Sequence, residues 1–347
     1  MHARGCRGVG KGCAMTMDAP AMKPHDQISA YLTDDLQAVR DLIRARMASD
    51  HAPRIPEVTA HLVNAGGKRV RPMLTLAVAR MCGYDGEDHQ KLAATVEFIH
   101  TATLLHDDVV DESKRRRGRP TANLLWDNKS SILVGDYLFA RAFQLMVETK
   151  SLQVLDILSN AAAVIAEGEV LQLSAAMNVS TTEETYLQVI RGKTAALFKA
   201  ACEVGGVIAH QADNHVNALA RYGNSLGIAF QMADDLLDWG GTSGQLGKNI
   251  GDDFRERKPT LPMIRAIARA DAAERAFWVR TIEKGDQRDD DLAHALRLLH
   301  HHGTLDETRA EAAQWAADAM AALETLPDHP LKYMLADLAD YAVARLS

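Results

Sequence analysis

Apolar and polar positions along this 347-residue chain recur with a helical period, not in strand-like alternation. In Ala93–Leu105 the core-type positions Val96, Ile99 and Thr103, with their neighbours, repeat every three to four residues, as one face of a helix does. Proline placement agrees with this reading. None stands between Pro120 and Pro259, a gap of 138 residues, and a second long gap runs from Pro262 to Pro327. A proline inside a helix costs about 3 kcal/mol, so these gaps permit long helices. Ala, Leu, Gln, Glu and Met fill them, in place of alternating Val, Thr and Tyr. Breaks are expected at Gly66-Gly67, Gly83, Arg117–Pro120, Gly205-Gly206, Gly240–Gly251 and Lys258–Pro262. The pattern predicts an all-α domain of ten or more helices from about residue 27 to the end, with no convincing sheet.

Composition narrows the class. With 47% hydrophobic and 24% charged residues, the chain has enough apolar surface for a real core, which excludes a disordered protein. Thirty-nine Lys and Arg against 46 Asp and Glu leave a net charge of −7, which argues against a general nucleic-acid binder. The longest run without Asp, Glu, Lys or Arg is Val170–Thr182, 13 residues, too short to span a bilayer. Cys6, Cys13, Cys82 and Cys202 form no Cys-x-x-Cys pair, which speaks against a disulfide framework or zinc knuckle and for a reducing, cytoplasmic compartment. Residues 1–26 read as a disordered extension. Arg4, Arg7 and Lys11 precede the first acid, Asp18, without the apolar run of a signal peptide, and Met15 and Met17 are alternative starts.

Candidate chemistry concentrates in one pattern used twice. His106-Asp107-Asp108-Val109-Val110-Asp111 and Ala233-Asp234-Asp235-Leu236-Leu237-Asp238 lie 127 residues apart, each behind an apolar run. On a helix the first and third aspartates of each set share a face, with Cβ atoms about 5–6 Å apart. The middle ones, Asp108 and Asp235, sit about 100° round the helix and suit a supporting place. Carboxylates in an apolar helix are costly unless positive charge meets them. Hard oxygen ligands presented this way suit Mg²⁺ that is also held by substrate phosphates. A single such set describes a solvated acidic face equally well; two sets with apolar flanks do not.

Cations cluster despite the acidic total. Gly66-Gly67-Lys68-Arg69-Val70-Arg71-Pro72, Lys114–Gly118, Gly192-Lys193-Thr194, Gly247-Lys248 and Lys258-Pro259-Thr260 each combine positive charge with glycine or a turn. Glycines let backbone amides approach an anion, and Lys and Arg supply charge and hydrogen bonds to phosphate. Six carboxylates and two diphosphates total roughly −12, of which three Mg²⁺ offset about +6, leaving the rest to these cations. One diphosphate alone would not call for both groups of cations.

These motifs, in this order, resemble those of the trans-isoprenyl diphosphate synthases, particularly the long-chain polyprenyl (octaprenyl, solanesyl, decaprenyl) diphosphate synthases that make quinone side chains. The resemblance runs from about Gln27 to Ser347 and includes Glu97-Phe98-Ile99-His100 and Arg116-Arg117-Gly118. Trp239 stands where the pattern has tyrosine, and Arg115 is an added cation. The resemblance implies one large helical bundle around a central cavity (isoprenoid synthase type) over residues 27–347. It also implies a homodimer and about three Mg²⁺ per active site, with no organic cofactor. Catalysis would rest on Asp107, Asp108, Asp111, Asp234, Asp235, Asp238 and Lys193. Of these, Asp107, Asp111 and Asp234 would hold metal, with Asp108, Asp235 and Asp238 supporting. Lys68, Arg71, His100 and Arg117 would bind isopentenyl diphosphate. Arg116, Lys193, Thr194, Gln231, Lys248 and Lys258 would bind the allylic diphosphate and its cation. His106 reads as a packing residue, and His300–His302 as adjacent histidines facing different sides of a helix, not a metal site.

The implied reaction is repeated condensation of isopentenyl diphosphate onto an allylic diphosphate, with farnesyl diphosphate the expected primer and a ubiquinone side chain the destination. Product length is expected from the helix above Asp107. Thr103 and Ala102 stand four and five residues upstream, Ile99 and Val96 eight and eleven, which places Val96 about 16 Å deeper. Aromatic rings close this level in short-chain relatives; Ala102 and Thr103 leave it open, implying about C40–C50, with decaprenyl favoured. The far wall is expected from Leu133–Phe143, with Phe139 as a floor. The alternatives are a geranylgeranyl synthase, a class I terpene cyclase, which needs only one diphosphate site, and a non-catalytic partner subunit, which could lose aspartates freely.

Overall fold

The computed structural model describes residues 22–49, 51–63, 68–116, 118–240 and 250–344. In chain order the elements are α1 (Pro24–Tyr31), α2 (Thr33–Met47), α3 (Arg54–Val63), α4 (Val70–Met81) and α5 (Asp88–Val110), then strands β1 (Arg115–Arg116) and β2 (Arg119–Pro120). There follow α6 (Ala122–Leu125), α7 (Asn128–Glu148), α8 (Leu152–Ala175), α9 (Glu183–Ile190), α10 (Ala196–Ile208) and α11 (Asp213–Gly240). The remaining helices are α12 (Asp252–Arg255), α13 (Leu261–Arg269), α14 (Ala272–Trp278), α15 (Asp291–His301), α16 (Thr304–Ala322) and α17 (Pro330–Ala344). A π-helical turn, Arg191–Ala195, joins α9 to α10, and a second, Val279–Glu283, extends α14.

The all-α expectation holds. The long helices fall where proline is absent, and the main core joins α4, α5, α7, α10 and α11 with the terminal helices α1 and α17. α10 is buried on nearly every face, which its sequence Ala-Leu-Phe-Lys-Ala-Ala-Cys-Glu-Val-Gly-Gly-Val-Ile requires. It packs on α4, α8 and α11, while α5 runs along α7. A second apolar cluster gathers Trp239, Phe254 and Trp278 behind the end of α11. No helix among the described residues is long and apolar enough to cross a membrane.

Three expectations are corrected. Gly205-Gly206 does not break the chain but lies inside α10. A Cβ on Gly205 would stand 2.9–3.0 Å from Val78 and the Thr75 carbonyl, so the glycine serves close packing on α4. The helical domain starts at Pro24, ahead of Gln27, because proline suits the first helical turn and His25 packs its ring 5.9 Å from Tyr341 of α17. Arg117–Pro120 is not merely a break, since β1 and β2 pair antiparallel, Arg115 with Pro120 and Arg116 with Arg119. Residues 1–21, Gly66-Gly67, Arg117 and Gly247-Lys248 lie outside the described residues.

One buried ionic knot ties α2 to α4 and α5. Asp35 accepts from Arg80 Nε and Nη2 at 2.8 Å and from Gln90 at 2.9 Å, and lies 2.9 Å from His89 Nε2. Burial alone would raise the pKa of Asp35, but Arg80, Gln90 and His89 together hold it well below the usual carboxylate range.

Candidate active site

α5 ends at Val110 with Asp111 as its cap, and α11 ends at Gly240. Asp107, Asp108 and Asp111, and Asp238 of the second set, therefore occupy the last turns of their helices, where the negative end of the macrodipole disfavours anions, while Asp234 and Asp235 sit one turn further in. Carboxylates placed there call for cations from outside the helix.

The turn at Arg191–Ala195 supplies the central one. Lys193 Nζ lies 3.7 Å from Asp107 and donates to Glu169 at 2.7 Å and Gln172 at 2.9 Å, both on α8. It reaches them because α8 and the π-helical turn touch backbone to backbone. A Cβ on Gly192 would meet Gly168 Cα at 2.9 Å, and one on Gly168 would meet Lys193 N at 2.7 Å. The next residue, Thr194, turns the other way and donates its hydroxyl to Gln231 on α11 at 2.7 Å. Adjacent residues thus address both aspartate-bearing helices. Lys258 closes the ring from beyond α12, 3.2 Å from Asp111 and 2.8 Å from Glu256.

The middle aspartates face away from this ring. Asp108 is wholly buried and pairs with Arg116 of β1 at 2.8 Å. Asp235, also buried, accepts from the Tyr186 hydroxyl at 2.6 Å and from Gln231 at 2.8 Å. Asp238 accepts from the backbone N–H groups of Asp252 and Asp253 at 3.1 and 2.9 Å, and so anchors α12 under the end of α11.

Burial and neighbouring charge shift the ionisable groups of the ring. Burial pushes the Asp107 carboxyl above its ordinary pKa, with Lys193 and Arg116 opposing and Asp111 and Asp108 adding to the rise. Burial raises Glu169 as well, against the pull of Lys193. Burial would lower the Lys258 ammonium, but Glu256 and Asp111 more than reverse it. Among the described residues no three His, Cys, Asp or Glu side chains form a metal cage by themselves. Hard oxygen donors near the ends of two helices, partly desolvated and attended by lysines, fit a divalent cation whose other ligands are phosphate oxygens and water.

A second cationic group lies on an aromatic platform. Arg71 Nη1 is 3.3 Å from His100 Nε2, and its guanidinium sits 4.7 Å from the Phe198 ring centre. Lys68 places Nζ 5.7 Å from the centre of Tyr341, and Phe198, His25 and Tyr341 line the small cavity beside it.

Along α5, Val96, Ile99 and Ala102 are 0–1% exposed, while Thr103 is half-buried and donates to the His100 carbonyl at 2.8 Å. His106 packs on α7, so closely that a Cβ on Gly135 would lie 2.2 Å from its Nε2. Phe139 stands 6.0 Å from the His106 ring. That is the level of the first aspartate set, about 15 Å along the helix from Val96.

Glu169, Gln172 and Tyr186 were not singled out from the sequence. Glu169 and Gln172 lie one helical turn apart in Glu167-Gly168-Glu169-Val170-Leu171-Gln172, and the glycine beside the acid was the available signal. Tyr186 carried none, because one tyrosine on an amphipathic helix reads as core.

The polyprenyl synthetase family model matches residues 52–299. The chain belongs to the polyprenyl synthetase family. It is 46% identical to the octaprenyl diphosphate synthase of Escherichia coli (strain K12) over 321 residues, 92% of this chain and 98% of that protein. A decaprenyl diphosphate synthase from Rhodobacter capsulatus shares 67% identity and a TM-score of 0.91, covering 93% of this chain and 100% of that one. A polyprenyl synthase from Caulobacter crescentus CB15, solved with calcium and isoprenyl diphosphate, shares 50% identity and a TM-score of 0.88, covering 93% and 98%. The aspartate and lysine ring thus sits in a fold that these synthases share.

Proposed function

We propose that this transferase condenses isopentenyl diphosphate repeatedly onto an allylic diphosphate, farnesyl diphosphate by preference. The product is a long all-trans polyprenyl diphosphate for a ubiquinone side chain, about C40–C50 by likeness to octaprenyl and decaprenyl synthases. The observation that carries this reading is the ring itself, in which Lys193 and Thr194 join the two aspartate helices and Lys258 completes the first set.

Asp107, Asp111 and Asp234 would hold divalent metal, with Asp108, Asp235 and Asp238 fixing the helix ends that carry them. The metal, Mg²⁺ at about three ions per site, supplies charge neutralisation to the departing diphosphate. Lys193 and Lys258 exchange carboxylate contacts for diphosphate oxygens as substrate arrives, joined by Arg116, Thr194, Gln231 and, by resemblance, Lys248. Lys68, Arg71, His100 and, by resemblance, Arg117 hold isopentenyl diphosphate with its alkene towards the allylic carbon. The allylic C–O bond ionises, the alkene attacks, and the released diphosphate takes the proton. Apolar walls exclude water, which would otherwise quench the cation. The lengthened product then occupies the allylic site for the next cycle, its tail along Thr103, Ala102, Ile99 and Val96.

A homodimer in the cytoplasm fits this reading. α7 presents Leu133 (66% exposed), Phe143 (43%) and Val147 (62%), with Leu124 and Leu125 of α6 nearby in sequence. A second copy of the chain is the proposed cover for this apolar face.

Incubating the purified chain with farnesyl diphosphate, isopentenyl diphosphate and Mg²⁺, then chromatographing the dephosphorylated products, tests the reading. Products of C40–C50 support it. A stop at geranylgeranyl, a cyclised hydrocarbon or no elongation would each overturn it. Ala102→Phe is expected to shorten the product to about three or four isoprenes, because a ring there leaves no volume for the chain.

A further inference from the structure

One face of α11 forms a continuous seam. Gly223, Gly227, Gln231 and Asp235 recur every four residues and so share a stripe of the helix. That stripe zips against the α9–α10 segment in reverse order. A Cβ on Gly223 would meet the Phe198 carbonyl at 2.4 Å, and one on Gly227 would meet Ala195 Cα at 2.6 Å. Next, Gln231 accepts from Thr194 at 2.7 Å, and finally Asp235 accepts from Tyr186 at 2.6 Å. Gln231 also donates to Asp235 at 2.8 Å, so the last two steps form one hydrogen-bonded chain from Tyr186 to Thr194.

The glycine contacts set how close α11 lies, but bare backbone contact leaves rotation about the axis and sliding along it weakly defined. Directional hydrogen bonds resist both. Asp234 lies about 100° round from Asp235, so a small rotation at the seam is transmitted directly to its carboxylate. Tyr186 is 4% exposed, and its hydroxyl reaches the carboxylate adjacent in sequence to Asp234.

We propose that Tyr186 is a positioning residue for this reaction: its bond to Asp235 locks the end of α11 against α9 and thereby aims Asp234 at the metal–diphosphate. This rests on the prenyltransferase reading above. On this account Asp235 belongs to the seam and not to the metal, although it shares its motif with Asp234.

Tyr186→Phe keeps the ring and removes only the donor. Partners that hold a ligand in place are worth about 10- to 100-fold in metal affinity or activity when removed. The variant is therefore expected to weaken Mn²⁺ binding in the presence of inorganic diphosphate by at least about tenfold. Loss of the free-ion electron paramagnetic resonance signal reads this without catalysis. kcat should fall in parallel, with KM for isopentenyl diphosphate within about twofold of wild type, because the Lys68 platform is untouched. An unchanged Mn²⁺ titration, or an equal loss at the isopentenyl site, would overturn the proposal. Asp235→Asn supplies a second arm should Tyr186→Phe fold poorly, since its one amide oxygen still accepts from Tyr186 while the bond from Gln231 is given up. It should hold Mn²⁺ far better than Asp234→Asn; equal loss in the two would make Asp235 a ligand and sink the idea. A wild-type chain that holds Mn²⁺ but elongates nothing would count against the prenyltransferase reading, not against this one.

Discussion

The two aspartate sets share a spacing, yet the fold secures them by opposite means. On α5 the middle carboxylate, Asp108, is neutralised by a cation from eight residues downstream, Arg116 on the first strand of a short hairpin. On α11 the middle carboxylate, Asp235, is held by uncharged partners, Tyr186 and Gln231, and Asp238 is spent on backbone amides. The first set is thus supported locally and electrostatically. The second is supported across the fold and by hydrogen bonds. Identical letters at identical spacing need not do identical work, because each copy is defined by what its helix packs against.

The sharpest test removes the outer residues. Asp107→Ala and Asp234→Ala should each lower turnover by about 10³-fold or more, with the helical circular dichroism unchanged, since both are expected ligands. Near-normal activity of either in EDTA would break the likeness between the sets. A control outside both is Lys68→Ala. Its KM for isopentenyl diphosphate should rise about 10- to 100-fold while the allylic KM barely moves, the cost of one charge-assisted phosphate contact. Equal rises for both substrates would merge the two sites.

Stability separates the sets next. Arg116→Gln leaves Asp108 buried without its counter-charge and should cost about 3 kcal/mol in urea unfolding. Tyr186→Phe removes one neutral donor and should cost about 1–2 kcal/mol. A reversed order would show that charge is not what holds α5. The smallest effect on activity is expected at Asp35, far in role from either set. Its folded pKa lies below the unfolded value of 3.8, so its contribution is present above about pH 4 and lost as pH falls through the acid range. His89 is lowered by burial from 6.5, so its contribution also declines on acidification, starting below that value. Asp35→Asn should flatten the acid limb of the stability curve while leaving turnover at neutral pH within about twofold.

Much of this was legible in the chain. Long gaps between prolines and a helical apolar period announced an all-α protein, because each is a local consequence of backbone chemistry. The duplicated aspartates and the glycine-flanked cations stood out for the same reason. Gly205-Gly206 misled, since two glycines mark a turn locally and a close helix crossing globally, and only α4 distinguishes the two.

What the sequence by itself determined was the inventory: helices, two acidic sets and clustered cations. Periodicity and charge are properties of residues and their near neighbours, so they survive without coordinates. Only the tertiary structure decided assignments within that inventory. It set Lys193 towards Asp107 and Thr194 towards Gln231, drew Glu169 and Gln172 to Lys193, and gave Asp235 to Tyr186. Each of these depends on the distance and rotation between helices far apart in the chain. Those are set by packing, through contacts such as Gly168 on Gly192 and Gly227 on Ala195, which no local pattern encodes.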